Sequence, residues 1–272
     1  MPMPVPMKSL LRLATSSMFA LGVLVAGTGP IACSDEGSGT TGRRIALEVE
    51  IAASPGAKQF TNAKGWNVSL GKAVVSTGAL YFYDGETLFA AAPKSRPRSF
   101  VAVAFAHPGH YVPGNAMGEM LTPSSADLLT GGALGRGDGV TGAVRSATFA
   151  FSAPATGPMA ADLGQSVIVL EGSATKGDDT RLFRAEIGPD EMKDAKGKLQ
   201  IEGCPFAPAD MQSDGVVTVT IDLPMWLDQV EFDEVPVSED GKPVLLAPGL
   251  AKNQLVRGAK GGLSYGFAFE PR

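Results

Sequence analysis

The sequence predicts an all-β protein, an antiparallel β-sandwich of about ten strands with one long loop insertion and a few short helices. Three observations lead there. Apolar and polar residues alternate with a period of two in several short runs, the first being Ile45, Leu47, Val49 and Ile51 against Ala46, Glu48 and Glu50. Glycine (34 residues) and proline (20) are abundant while aromatic residues make up 7%, a balance that suits short strands joined by tight turns. No regular alternation of strand and helix periods marks βαβ units. With 272 residues, 44% of them apolar, the chain is long enough to bury a full core.

Taken in order, the first strand covers 45–51 and turns at Ser54-Pro55-Gly56. Alternation restarts at Trp66, Val68 and Leu70, continues at 79–83, and resumes at 87–91 across Asp84-Gly85, which reads as a hairpin turn. Pro93, Arg96, Pro97 and Arg98 make a stiff basic loop before a nearly uncharged strand over 100–106. Residues 107–142 form the long insertion, with a histidine-flanked turn, a short helix at 125–130 and the glycine-rich run GGALGRGDGVTG. Strands return at 143–151, 167–174 and 181–187, the last two joined by an acidic turn at 176–179. Pro189 with Asp190 and Glu191 opens a short helix. Further strands lie at 198–202 and 216–223, helical turns at 224–230 bury Trp226, and 250–257 is helical. The last strand, 263–269, faces Phe267 and Phe269 inward. Residues 44–272 are read as one sandwich, with two small β-domains divided near 154–164 as the alternative.

The formal charge is −5, and it becomes more negative once Lys8 and Arg12 leave with the leader, which excludes a nucleic-acid partner. That leader combines Lys8 and Arg12 with the apolar stretch MFALGVLVA at 18–26, too short for a membrane-spanning helix. Gly29-Pro30-Ile31-Ala32-Cys33 at its end resembles the bacterial lipobox, with Pro30 standing where that pattern usually carries leucine. The resemblance implies that residues 1–32 are a lipoprotein signal peptide and that Cys33 is acylated. The lipid on Cys33 would then hold the chain to a membrane, with the polar residues 33–43 as a flexible tether. Ser34 after the cysteine implies the outer membrane in a Gram-negative host. With Cys33 acylated, Cys204 has no partner, no disulfide forms, and Cys204 reads as a small buried hydrophobe.

Several strings spell chemistry without its context. Gly262-Leu263-Ser264-Tyr265-Gly266 matches a hydrolase nucleophile elbow, but the chain ends at Arg272 with no histidine in between, so Ser264 reads as a strand residue. Arg136-Gly137-Asp138 in the glycine-rich run carries no chemistry, and Asp138, Asp178 and Asp179 lack the spaced oxygen ligands of a calcium loop. Glu231, Asp233, Glu234, Glu239 and Asp240 read as an exposed acidic loop.

The strongest concentration of chemistry is His107-Pro108-Gly109-His110, which holds both histidines of the chain around a turn-forming Pro-Gly pair. Such a turn brings two imidazoles within reach of one ion, and Met117, Glu119 and Met120 follow closely enough to complete the coordination. Histidine with thioether suits copper, histidine with carboxylate suits zinc, and Tyr111 would support the ligands from behind. The expected function is a lipid-anchored cell-envelope binding or accessory protein carrying a copper or zinc ion. The alternatives are a protein- or cell-wall-interaction module that uses 107–142 and 231–240 as an envelope partner's docking surface, and a metal-dependent hydrolase built on His107 and His110.

Overall fold

The computed structural model describes residues 42–87 and 111–272. The alternation starting at Ile45 forms β1 (Arg44–Ala53), and β2 (Gln59–Thr61), β3 (Asn67–Thr77) and β4 (Leu80–Tyr83) follow it. Three strands occupy what the sequence marks as a loop insertion: β5 (Ala116–Met120), β6 (Ser124–Asp127) and β7 (Gly132–Val140). The chain continues through β8 (Gly142–Ala150), α1 (Ala160–Leu163), β9 (Ile168–Lys176), β10 (Asp179–Ile187) and α2 (Pro189–Met192). It ends with β11 (Gln200–Met211), β12 (Gly215–Ile221), α3 (Leu223–Leu227), β13 (Val244–Leu245), α4 (Leu250–Ala259) and β14 (Tyr265–Pro271).

The protein is all-β with few and short helices, but its main sheet is not half of a sandwich. Eight strands close into a barrel in the order β1-β12-β14-β11-β8-β4-β5-β7, and a second sheet runs β13-β10-β9-β3-β2, with β6 also paired to β3. Alternation looks the same in an open sheet and a closed one, so closure lies beyond the pattern. It depends on contacts between distant segments: β1 lies parallel to β12 from Leu47↔Gly215 to Ala53↔Ile221. The seam of β11 against β14 is a single parallel pair, Phe206↔Phe267. Pro205 and Pro208 sit within β11 and lack the N–H that a longer ladder would use, and the β11–β8 register slips twice, between Ile201 and Cys204 and between Pro205 and Ala209.

The strand count exceeds the expected ten because β2, β5, β6 and β13 are too short to show alternation. In β7 the alternating small residue is glycine. The expected helix over 125–130 is instead β6 followed by a turn, since Ser124, Ser125 and Ala126 pair with Thr77, Ser76 and Val75. The acidic turn at 176–179 is a tight hairpin closed by Asp179↔Lys176. The expected strand over 100–106 and the histidine turn lie outside the described residues, as do the leader and Cys33.

Inside the barrel, inward residues of β4, β11 and β14 form an aromatic cluster, with Phe82 5.7 Å from Phe206 and 6.0 Å from Phe267 between ring centroids. Phe149 of β8 packs on Tyr265 at 5.0 Å. Beneath the second sheet, Phe232 meets Trp66 at 5.8 Å and Phe183 at 4.9 Å. Strands from either side of 154–164 pair in both sheets, as β3 does with β9 and β8 with β11, and the described residues form one compact unit.

Candidate functional site

The period of two that buries Leu80 and Phe82 in the barrel turns Tyr81 and Tyr83 of β4 outward. Cross-strand pairing sets their neighbours. Tyr81 stands opposite Glu119 of β5 on one side and Thr148 of β8 on the other, and Glu119 stands opposite Asp138 of β7. Tyr83 stands opposite Ser146. Beyond β8, the register slip in β11 places Glu202 and Gly203 in a bulge next to Thr148. One outward row thus reads Asp138, Glu119, Tyr81, Thr148, Glu202, with Tyr83 and Ser146 beside it.

Tyr111, expected to support metal ligands, is docked onto this face. Its hydroxyl lies 2.7 Å from Ser146 Oγ. Ser146 Oγ donates to the Gly85 carbonyl at 2.6 Å, so the Tyr111 hydroxyl is the donor of the pair. The ring covers Gly203, where a Cβ would stand 3.5 Å from Tyr111 Cγ and where φ is +72°. Glycine meets both demands, since a side chain there would be strained and would crowd the ring. Burial pushes the Tyr111 phenol up to about 12, against the lowering effect of the Ser146 hydrogen bond. Burial also raises Tyr83, opposed by a hydrogen bond with Thr148 and assisted by the charges of Glu202 and Glu119. Both phenols therefore stay protonated at neutral pH.

After Tyr111 the chain is pinned to the Asp84-Gly85 bend, which the sequence marks as a hairpin turn. Gly85 N–H donates to the Pro113 carbonyl at 2.9 Å. The Asp84 carboxylate accepts from Asn115 N at 2.7 Å and Asn115 Nδ2 at 2.8 Å. These bonds deliver the chain into β5 and fix which of the expected ligands can meet. Met120 is fully buried inside the barrel, on the face opposite Glu119, so those two side chains cannot hold the same ion. Met117 and Glu119 both line a cleft of about 370 Å³ with Asp138 and Arg44, with Met117 largely buried against the core. His107 and His110 lie outside the described residues. Among the described residues no group of three or more His, Cys, Asp or Glu side chains is arranged to hold a metal ion.

Sequence reasoning gives Tyr81, Tyr83 and Glu202 of this face no role, and it considers Asp138 only as a calcium ligand on a turn, whereas the residue stands on a strand. Its signal was the alternation Gly135, Arg136, Gly137, Asp138, Gly139, which is a strand with charges on one face and no side chains on the other. The other motifs resolve into structure. Ser264 lies in a 3-10 turn at the foot of β14, where its hydroxyl donates to the Gly261 carbonyl at 2.7 Å and accepts from Trp226 Nε1 at 2.8 Å. That hydroxyl is committed to packing. Cys204 is buried, its Sγ 3.4 Å from the Ile201 carbonyl, and burial pushes its thiol up to about 12. In the acidic run Glu231 pairs with Lys64 at 2.9 Å and Asp240 with Lys242 at 2.8 Å.

Fold and site together define an all-β barrel protein with an acidic, tyrosine-lined outer face. No family model matches the chain, and no curated protein does. Among solved structures, MbnP from Methylosinus trichosporium is similar at 12% identity over 73% of this chain and 81% of that one, with a TM-score of 0.34.

Proposed function

We propose that this chain is a lipid-anchored accessory protein of the cell envelope that binds one transition-metal ion, copper before zinc, beside the tyrosine-lined face. The observation that carries the reading is the docking of Tyr111 through Ser146 and Gly203. His110 is covalently next to that anchored residue, and Met117 and Glu119 lie six and eight positions beyond it in a shared cleft. Two imidazoles, a thioether and a carboxylate are a donor set for which copper is the best match, and the acidic row of Glu119 and Asp138 favours a cation electrostatically. The proposed ligands are His107, His110, Met117 and Glu119, while Met120 stays in the barrel core. The lipid on Cys33 would hold the domain at the membrane surface, where loosely bound metal is accessible.

Calorimetry with Cu(II), and with Cu(I) under reductant, tests the metal. Wild type is expected to bind one ion and His107→Ala/His110→Ala none, whereas equal heats for the two proteins remove the site. Labelled palmitate should enter the wild type and be lost in Cys33→Ala, and labelling that survives the substitution removes the anchor.

A further inference from the structure

Beyond the metal reading, the tyrosine-lined face has the chemistry of a surface that receives arginine. The Tyr81 and Tyr83 rings stack with centroids 6.4 Å apart at 28°, and both are half-buried, so together they offer a small aromatic patch on the outer face. Carboxylates stand at two edges of it, Glu119 across β5 and Glu202 in the β11 bulge. Among the described residues Glu119 forms no ion pair, and the cation nearest Glu202 is Lys196, at 3.7 Å with both side chains open to water. Burial raises the Tyr83 phenol, so that ring stays uncharged and presents a neutral π face to a cation. Aromatic rings with a carboxylate at their edge discriminate between cations. A guanidinium is planar, stacks flat on a ring and offers a fork of N–H donors to a carboxylate at the ring's edge, whereas an ammonium is a hydrated point charge that does only one of these well. The chain's net charge of −5 favours approach of a basic partner over a neutral or acidic one.

We infer that the outer face of β4, β8 and β11 docks an arginine-bearing segment of a partner protein, with the guanidinium on Tyr81 and Tyr83 and its N–H groups on Glu202. The test titrates the mature chain with a short acetylated Gly-Arg-Gly-Arg-Gly amide and with the same peptide carrying lysine, at low and at physiological salt. The arginine peptide is expected to bind about fivefold more tightly than the lysine peptide, the size of an exposed cation–π stack. Tyr81→Ser should erase that preference, Tyr81→Phe should keep it, and Glu202→Gln should weaken both peptides alike. Circular dichroism on each variant separates lost binding from lost fold. Binding should persist in His107→Ala/His110→Ala, so that failure of the metal site and failure of this face read out in different titrations. Equal affinity for the two peptides, an arginine preference unchanged by Tyr81→Ser, or no binding by the wild type each overturns the inference.

Discussion

Two strands of the same barrel, β4 and β7, solve the same packing problem in opposite ways. In β4 the inward residues are Leu80 and Phe82 and the outward ones Tyr81 and Tyr83. In β7 the inward positions 137 and 139 are glycine, while Arg136 and Asp138 point out. The interior of a small barrel has a fixed volume, so large side chains from some strands require almost nothing from their neighbours. A Cβ at Gly139 would stand 3.1 Å from Leu47 Cδ1 and 3.2 Å from Ile45 Cγ1, and one at Gly137 would stand 2.5 Å from the Glu119 carbonyl oxygen. The glycine-rich run is therefore a rigid part of the core wall, fitted to the bulk of β1 and β5, and the same economy of space lets Tyr111 lie on Gly203 outside.

This contrast can be broken at either strand. Phe82→Ala should cost about 3–5 kcal/mol, because it empties a site enclosed by Phe206 and Phe267, and urea denaturation reads it as a lowered midpoint. Gly137→Val should cost about 2–3 kcal/mol by driving methyl groups into the Glu119 backbone, which cannot yield as a side-chain tip could. Gly139→Ala should be milder, about 1 kcal/mol, and its cost should fall when combined with Leu47→Ala, since that truncation removes the atom it strikes. Strict additivity in that double mutant would show that the two residues do not share one volume.

On the outside the expected effects are smaller. Tyr111→Phe should cost about 1 kcal/mol for the lost hydrogen bond to Ser146 and should loosen the approach of the chain to β5. It also carries a pH signature. The folded-state phenol is raised to about 12, above the ordinary value near 10, so its contribution is fully present below pH 10 and is lost as pH rises through 12. Wild-type stability should therefore fall over that interval, and Tyr111→Phe should flatten the fall only in part, because Tyr265 is also raised by burial. A thermal melt series from pH 9 to 12 checks this, and an unchanged slope in the variant would mean that the Tyr111 phenol is not held in its protonated form by the fold.

Local chemistry was legible wherever it repeats along the chain. The alternation of Ile45, Leu47, Val49 and Ile51 specified β1 and its buried face, Pro189 opened a helix as proline at a first helical position does, and the isolation of Cys204 matched its burial. Glycine hid the strand β7 because a missing side chain carries no hydropathy signal, and Met120 was grouped with Glu119 by nearness in sequence although adjacent parities in a strand face opposite ways.

The amino-acid order alone determined the strand-rich class and the negative charge, because periodicity and charge act between neighbours. Only the tertiary structure decided that the sheet closes, that Glu119 faces Asp138 and Tyr81, and that Tyr111 rests on Gly203. Those pairings join residues from about twenty to more than ninety positions apart, and the register that brings them together is set by how side-chain volumes from all eight strands fill one barrel.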